Sequence, residues 1–168
     1  MNIAAILKIT TDLQSSSVLD LSTVKDALLH EIKTTLSTGT SANQADKVWH
    51  DRRTLGAGVS ESLDLAGSLT DAFGATVTMA KIKGVLIYNR ETTTGLYLQV
   101  GGAASNAWSA GMLVDATDKI KIGPSGYNAW ASPIDGYAVT AGTGDILKID
   151  NPSAAAVTYD IIIIGTSA

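Results

Sequence analysis

Residues 136–168 read GYAVTAGTGDILKIDNPSAAAVTYDIIIIGTSA, three short runs rich in β-branched residues held apart by turn chemistry. Runs of this kind, bounded by Gly, Pro, Asn, Asp and Ser clusters, are strands. The expected order is a strand at 136–139, a turn on Ala141-Gly142-Thr143-Gly144-Asp145, a strand at 146–149, a turn on Asp150-Asn151-Pro152-Ser153 and a strand at 157–164. Such short turns predict a meander of hairpins. In the last run Val157 and Tyr159 alternate with Thr158 and Asp160, after which Ile161, Ile162, Ile163 and Ile164 are apolar on both faces. A strand of that kind belongs in the middle of a sheet, covered above and below.

The sequence upstream follows the same rules. TVTMAKIKGVLIY at 76–88 sets Val77, Met79 and Lys81 against Thr78, Ala80 and Ile82, with Gly84 the expected place for a bulge. Residues 96–100 and 119–122 read as strands beside TTTG and GPSG turns. At 59–65, Val59, Glu61, Leu63 and Leu65 share one face, which puts Glu61 on the apolar side or at a sheet edge. Residues 21–36 carry two patterns: Leu21, Val24, Leu28, Ile32 and Leu36 fit a helical stripe capped by Ser22 or Thr23, whereas Leu28, His30, Ile32, Thr34 and Leu36 fit a strand. Thr34-Thr35 and the break at Gly39 favour a strand from about residue 28 onward. Many short strands with turns every 8 to 12 residues predict an all-β fold, an antiparallel β-sandwich or jelly roll. Residues 1–20 are expected to be an extended arm or short helix, and 21–168 a single domain.

A chain of 168 residues is long enough to bury one sizeable core. Only 17% of it is charged, against about 25% in ordinary soluble domains, so much of its surface is expected to be neutral and suited to contact with other proteins. With a net charge of -4 and basic knots only at 47–53 and Lys81/Lys83, no nucleic-acid partner is expected. Cysteine is absent, which removes disulfides and thiolate metal sites. The start lacks a basic segment followed by an apolar one, and the longest aliphatic block, residues 161–164, is far short of the ~20 residues of a membrane helix. The expectation is a protein made in the cytoplasm with no membrane partner.

The residues that could carry chemistry are few. His50 and Asp51 in WHDRR are adjacent, so on a strand they point to opposite faces and cannot act as a base and its orienting carboxylate; a strand with Trp49 inward is the plainer expectation. Asp115 and Asp118 are too few for a calcium loop and suit an Asp-stabilised turn. Gly101-Gly102 and Gly142-Thr143-Gly144 lack the helix and Gly-Lys-Ser/Thr ending of a phosphate cradle, and read as turns needing positive φ. No catalytic residue, metal site or cofactor is expected. The aromatic set Trp108, Trp130, Tyr127, Tyr97 and Tyr137 lies beside glycine-rich loops; it could serve core packing, a subunit or partner interface, or carbohydrate recognition.

The strings NQADKVW (43–49), LDLAGSLTDAFG (63–74), VGGAASN (100–106) and the tail from residue 138 resemble a family of small tailed-phage and prophage structural proteins, over roughly residues 28–168. The resemblance implies a non-enzymatic virion protein, similar in design to capsid decoration (cement) proteins. Such a protein sits on the capsid exterior, binds the major capsid protein and associates with itself, a trimer being expected. The arm at 1–20 would then add to a neighbour's sheet edge. A tail-tip or fibre module that binds host glycans through the aromatic set is the alternative of a different class.

Overall fold

The computed structural model describes residues 2–110 and 113–168. Among the described residues there are fourteen strands and no helix: β1 (Ala5–Val18), β2 (Thr23–Thr38), β3 (Gln44–Ala45), β4 (Lys47–Leu55), β5 (Ser60–Asp64), β6 (Leu69–Thr70), β7 (Thr76–Val77), β8 (Lys81–Asn89), β9 (Leu98–Gly101), β10 (Lys119–Ile122), β11 (Tyr127–Ala131), β12 (Tyr137–Ala138), β13 (Ile146–Asp150) and β14 (Val157–Thr166). The protein is therefore all-β.

Two sheets make its body. One has the order β10-β9-β13-β5; the other is β11-β8-β14-β4, with β12 also on β8. Setting aside the two-residue strands and the first two, eight strands remain. Their antiparallel pairs are nested: first with last (β4·β14), second with seventh (β5·β13), third with sixth (β8·β11) and fourth with fifth (β9·β10). The inward faces of both sheets share one core. Leu63, Leu98, Val100, Leu147 and Ile149 from the first sheet meet Trp49, Ile82, Val85, Ile87, Val157, Tyr159, Ile161 and Ile163 from the second. The burial of so many aliphatic side chains, each contributing about 1.5–3 kcal/mol, is what holds the sandwich together.

β14 is the central strand expected from its four isoleucines, paired to β4 on one side and β8 on the other. It is not, however, covered equally on both faces. Ile161, Ile163 and Ile164 are buried, while Ile162 points to the outer face and is 39% exposed. The expected meander is also corrected. β12 pairs β8, β13 pairs β5 and β9 in the other sheet, and β14 returns to β4 and β8, so consecutive runs do not pair with each other. The corner between β13 and β14 explains why. Asn151 offers its side-chain amide to the carbonyls of Leu55, Gly56 and Ala155, an anchor that carries the chain across the sandwich instead of back along β13.

Other expectations need smaller adjustments. The run at 76–88 is divided into β7 and β8, and the irregularity beside Gly84 falls at Lys83. Ile164 pairs with Gly84 but Gly165 with Ile82, so Lys83 is the extra residue. Glu61 turns inward at the margin of the core, where the Tyr159 hydroxyl and the Arg53 guanidinium both donate to it. β4 carries Trp49 into the core, as expected of that segment, and His50 outward.

Residues 21–36 are not helical. β2 runs through 23–38 and pairs with β1 along fourteen rungs, from Ala5–Leu36 to Val18–Thr23, closed by a tip in which the Leu19 amide donates to the Ser22 carbonyl at 2.8 Å. The residue-20 boundary falls in this tip. Residues 5–18 are thus half of a hairpin and not a separate arm. At the base a small second core of Ile3, Leu36, Ala45 and Ile164, flanked by Ala5, Leu7 and Val48, ties the ribbon to the outer face of the second sheet. There Gly84 leaves room for Leu7, whose Cδ atoms lie 3.2 Å from where a Cβ would sit.

Candidate functional site

Alternation along the paired strands divides the ribbon into two faces. On one, Leu7, Ile9, Thr11 and Leu13 of β1 lie opposite Thr34, Ile32, His30 and Leu28 of β2. The other carries the rungs Lys8/Lys33, Thr10/Glu31, Asp12/Leu29 and Ser16/Lys25, with Lys8 Nζ 2.6 Å from the Glu31 carboxylate. The first face is the more apolar as far as the Leu13/Leu28 rung, broken by the Thr11/His30 rung, and leads straight out of the basal core. Beyond Leu7, nothing in the described chain covers it: Ile9, Ile32, Leu13 and Leu28 are each more than half exposed. The tip is apolar as well, with Leu21 fully exposed and Val18 82% exposed, although hairpin tips normally use polar turn residues. A two-stranded hairpin alone is at best marginally stable in water, and exposed apolar surface of this extent marks an interaction site.

Where the ribbon leaves the body it overhangs the outer face of the second sheet. The register places three rows there: Ala131–Gly84–Ile164–Val48, then Ala129–Leu86–Ile162–His50, then Tyr127–Tyr88–Asp160–Arg52. The space between is an open cleft of about 450 Å³, roofed by Ile9 and Ile32 and floored by Leu86, Ile162 and Tyr127. Its far margin is charged. Asp160 accepts from Arg52 Nε at 2.7 Å and from Arg90 Nη1 at 2.8 Å, and the Arg52 hydrogen bond, aided by Arg90, holds its carboxyl below the ordinary range.

The aromatic residues singled out in the sequence do not converge. Trp108 is 1% exposed, its indole N–H donating to the Ala138 carbonyl at 2.8 Å, so it is core and cannot be an interface residue. Tyr137 meets Trp108 edge-on at 6.3 Å between ring centres. Trp130 lies in the inner row with Val85, packs against the core and also borders the cleft. Tyr97 is half-buried beneath Lys121, whose Nζ is 3.9 Å from the ring centre. Tyr127 alone of the five is largely open, at 65%, on the outer face beside the cleft.

The remaining polar candidates are structural. His50 and Asp51 point to opposite faces of β4, and Asp51 is bound to Arg53. Asp115 and Asp118 accept from the backbone amides of Thr117, Val114 and Asp115, making a turn. Gly101, Gly102 and Gly142 have positive φ, as their turns require. Lys83 is buried, its ammonium donating to the Ile134 carbonyl at 2.7 Å; burial lowers its pKa, neighbouring Lys81 adding to the effect. None of these groups is placed to pass a proton to another. What the arrangement leaves open is a partly apolar ribbon face beside the cleft.

Sequence reasoning missed Ile9 and Leu13 on β1. Their alternation was visible, but the tip Leu19-Asp20-Leu21-Ser22 contains no Gly, Asn or Pro to announce a hairpin. No family model, characterised protein or solved structure matches the chain.

Proposed function

We propose that this chain is a non-enzymatic structural protein of a tailed-phage particle, a decoration protein that binds the major capsid protein on the outside of the head and stabilises subunit junctions. The observation that carries the reading is the fourteen-rung ribbon, a long element that adds little to the core of its own chain and displays an apolar face to others. The resemblance in residues 28–168 supports the phage setting. The nested strand pairing supports reading the sandwich as a jelly roll, an architecture used by viral capsid domains. Bridging two capsid subunits stabilises the assembled state by the free energy of binding, since the bridge forms only when both are in place.

The test uses particles stripped of the protein. Adding it back should raise the temperature at which they rupture, and adding a variant with residues 8–33 replaced by a short turn should not. Equal rupture temperatures with and without the intact protein would sink the reading.

The alternative, a tail-tip module that binds glycans, is favoured by one observation: Tyr127 stands open beside the cleft. Binding to a glycan array that is lost in Tyr127→Ala would support it over the decoration role.

A further inference from the structure

We propose that β11 is a pairing edge, to which β11 of a second copy of this chain adds antiparallel about a two-fold axis, so that the second sheet continues from one copy into the other. The edge belongs to the sandwich and not to the ribbon, and its pairing holds whether or not the chain decorates a capsid.

β11 ends the second sheet, and among the described residues nothing pairs with its outer side. Two hydrogen bonds fix which of its backbone groups are free. The Asn89 amide donates to the Gly126 carbonyl at 2.9 Å, and the Ser132 amide donates to the Lys83 carbonyl at 3.0 Å. In an antiparallel ladder the hydrogen-bonded pairs recur at every second residue. Asn128 and Trp130 therefore turn their amides and carbonyls towards Ile87 and Val85 of β8, while Tyr127, Ala129 and Ala131 turn theirs outward. Of these outward groups the Ala131 carbonyl takes a long hydrogen bond from the Tyr137 hydroxyl, at 3.5 Å, and the others have no partner among the described residues.

Sheets commonly block such edges with charge. The strands at the other ends of the two sheets do so: β4 has four charged residues, β10 two lysines and β5 a glutamate and an aspartate. β11, with the sequence YNAWA, has none. Ala129 and Ala131 are exposed, and their methyl groups are too small to keep another strand away.

The strand also fits itself. With Ala129 opposite the partner's Ala129, Tyr127 falls opposite the partner's Ala131 at either end, and every outward amide meets an outward carbonyl. A slip of two residues leaves outward groups of each copy unpaired. On the outer face each tyrosine ring then lies beside a methyl group. On the inner face Trp130 stands opposite the partner's Asn128 and diagonal to the partner's Trp130, at a spacing of about 7–8 Å that large rings can bridge. Trp130 packs against the core but is only half-buried in the single chain, and the pairing covers it. The same patch thus serves both copies, as an isologous contact requires. A contact of five residues a side lies below the ~1,200 Å² of standard interfaces, so the pair forms at high concentration and separates on dilution.

Ala129 lies on the axis, which makes the contact open to test by charge. By light scattering the purified chain at about 100 μM should show twice its 17.3 kDa mass. Ala129→Lys sets two like charges opposite each other and should be monomeric. Its sandwich should melt as the wild type does at low concentration, because the position is exposed in the single chain. Ala129→Glu should be monomeric as well, and mixing the two variants should restore pairs, a recovery that misfolded variants would not give. Ala129→Cys should form a disulfide with its counterpart, since Cα atoms at ~5.5 Å are within bonding range. Thr54→Cys, on the edge strand β4, should not; the chain has no cysteine of its own.

A wild type that stays monomeric at that concentration, a trimer, an Ala129→Lys variant that pairs like wild type, or equal disulfide yields at 129 and 54 would overturn the proposal. Pairing is measured without capsids, so the two readings fail separately. Wild-type monomers that stabilise particles would overturn the pairing alone, and pairs that do not stabilise them would overturn the decoration role alone.

Discussion

Ile161 in β14 and Ile9 in β1 are the same residue in the same local structure, each on an extended antiparallel strand and each following a polar residue, Asp160 and Lys8. Ile161 is fully buried between two sheets, while Ile9 is 51% exposed on a ribbon with one layer. The body and the ribbon thus use the same pattern for different ends. In the body, alternation tells the strand which side faces the other sheet, and the second layer is part of the same chain. In the ribbon it marks an apolar side whose second layer the chain does not supply.

The largest expected effect breaks that comparison if it fails. Ile161→Ala should destabilise the fold by about 2–5 kcal/mol, the cost of a cavity at a site that cannot collapse. Ile9→Ala should change the unfolding free energy of the single chain by less than about 0.5 kcal/mol, as for other exposed positions. Denaturant titration at a protein concentration low enough to exclude association reads both. Similar losses would mean that the ribbon is as integral to the fold as β14.

A second change tests the joint between the regions. Gly84→Val puts methyl groups where the Leu7 side chain now rests, 3.2 Å from a Cβ position. The expected cost is about 1–2 kcal/mol from overpacking. It should appear as faster amide exchange at residues 5–7 and 34–36, with β13 and β14 exchanging as before. Accelerated exchange throughout the sandwich would show that the basal core is continuous with the main one.

The difference between the regions also explains what could be read from the sequence. The all-β class, the central position of 157–164, the inward Trp49 and the turn at 115–118 follow from local alternation and turn residues, which act over a few positions. Which strand pairs with which does not. The expected meander failed because Asn151 carries the chain to the other sheet through contacts with Leu55 and Gly56, nearly a hundred residues earlier. Residues 21–36 matched helix and strand alike because an unburied face gives periodicity no second layer to be tested against. Of the aromatic set, Tyr127 and Trp130 border the cleft and only Tyr127 stands largely open there, since hydrophobicity does not distinguish Trp108 in a core from an aromatic in an interface.

Acid–base behaviour should differ between the regions too. Burial lowers the pKa of Lys83, so between that lowered value and the ordinary ~10.4 the unfolded chain binds more protons than the folded one. Stability should therefore rise with pH across that interval. Lys83→Met should remove the rise, as measured by melting temperature between pH 7 and 10. The ribbon contains no buried lysine, so variants confined to it should leave the slope unchanged.

The smallest effect concerns the three ion pairs centred on Asp160 and Glu31. Asp160 is bound by Arg52 and Arg90 at the cleft's margin and is part-buried, whereas Lys8 and Glu31 meet on the open face of the ribbon. The Asp160 carboxyl has a folded pKa below its unfolded one. Its contribution is therefore present above the unfolded value and is lost as pH falls through the folded one. Solvent screening limits that contribution, so Asp160→Asn should cost less than about 1 kcal/mol near neutral pH, with the difference from wild type closing as the pH is lowered below 4. Glu31→Gln should cost nothing measurable in the single chain, because two flexible exposed side chains gain little from meeting. If the ribbon pair instead proved the stronger, measured at low concentration and in 0.15 M salt, the ribbon would be more ordered on its own than a single two-stranded layer should be.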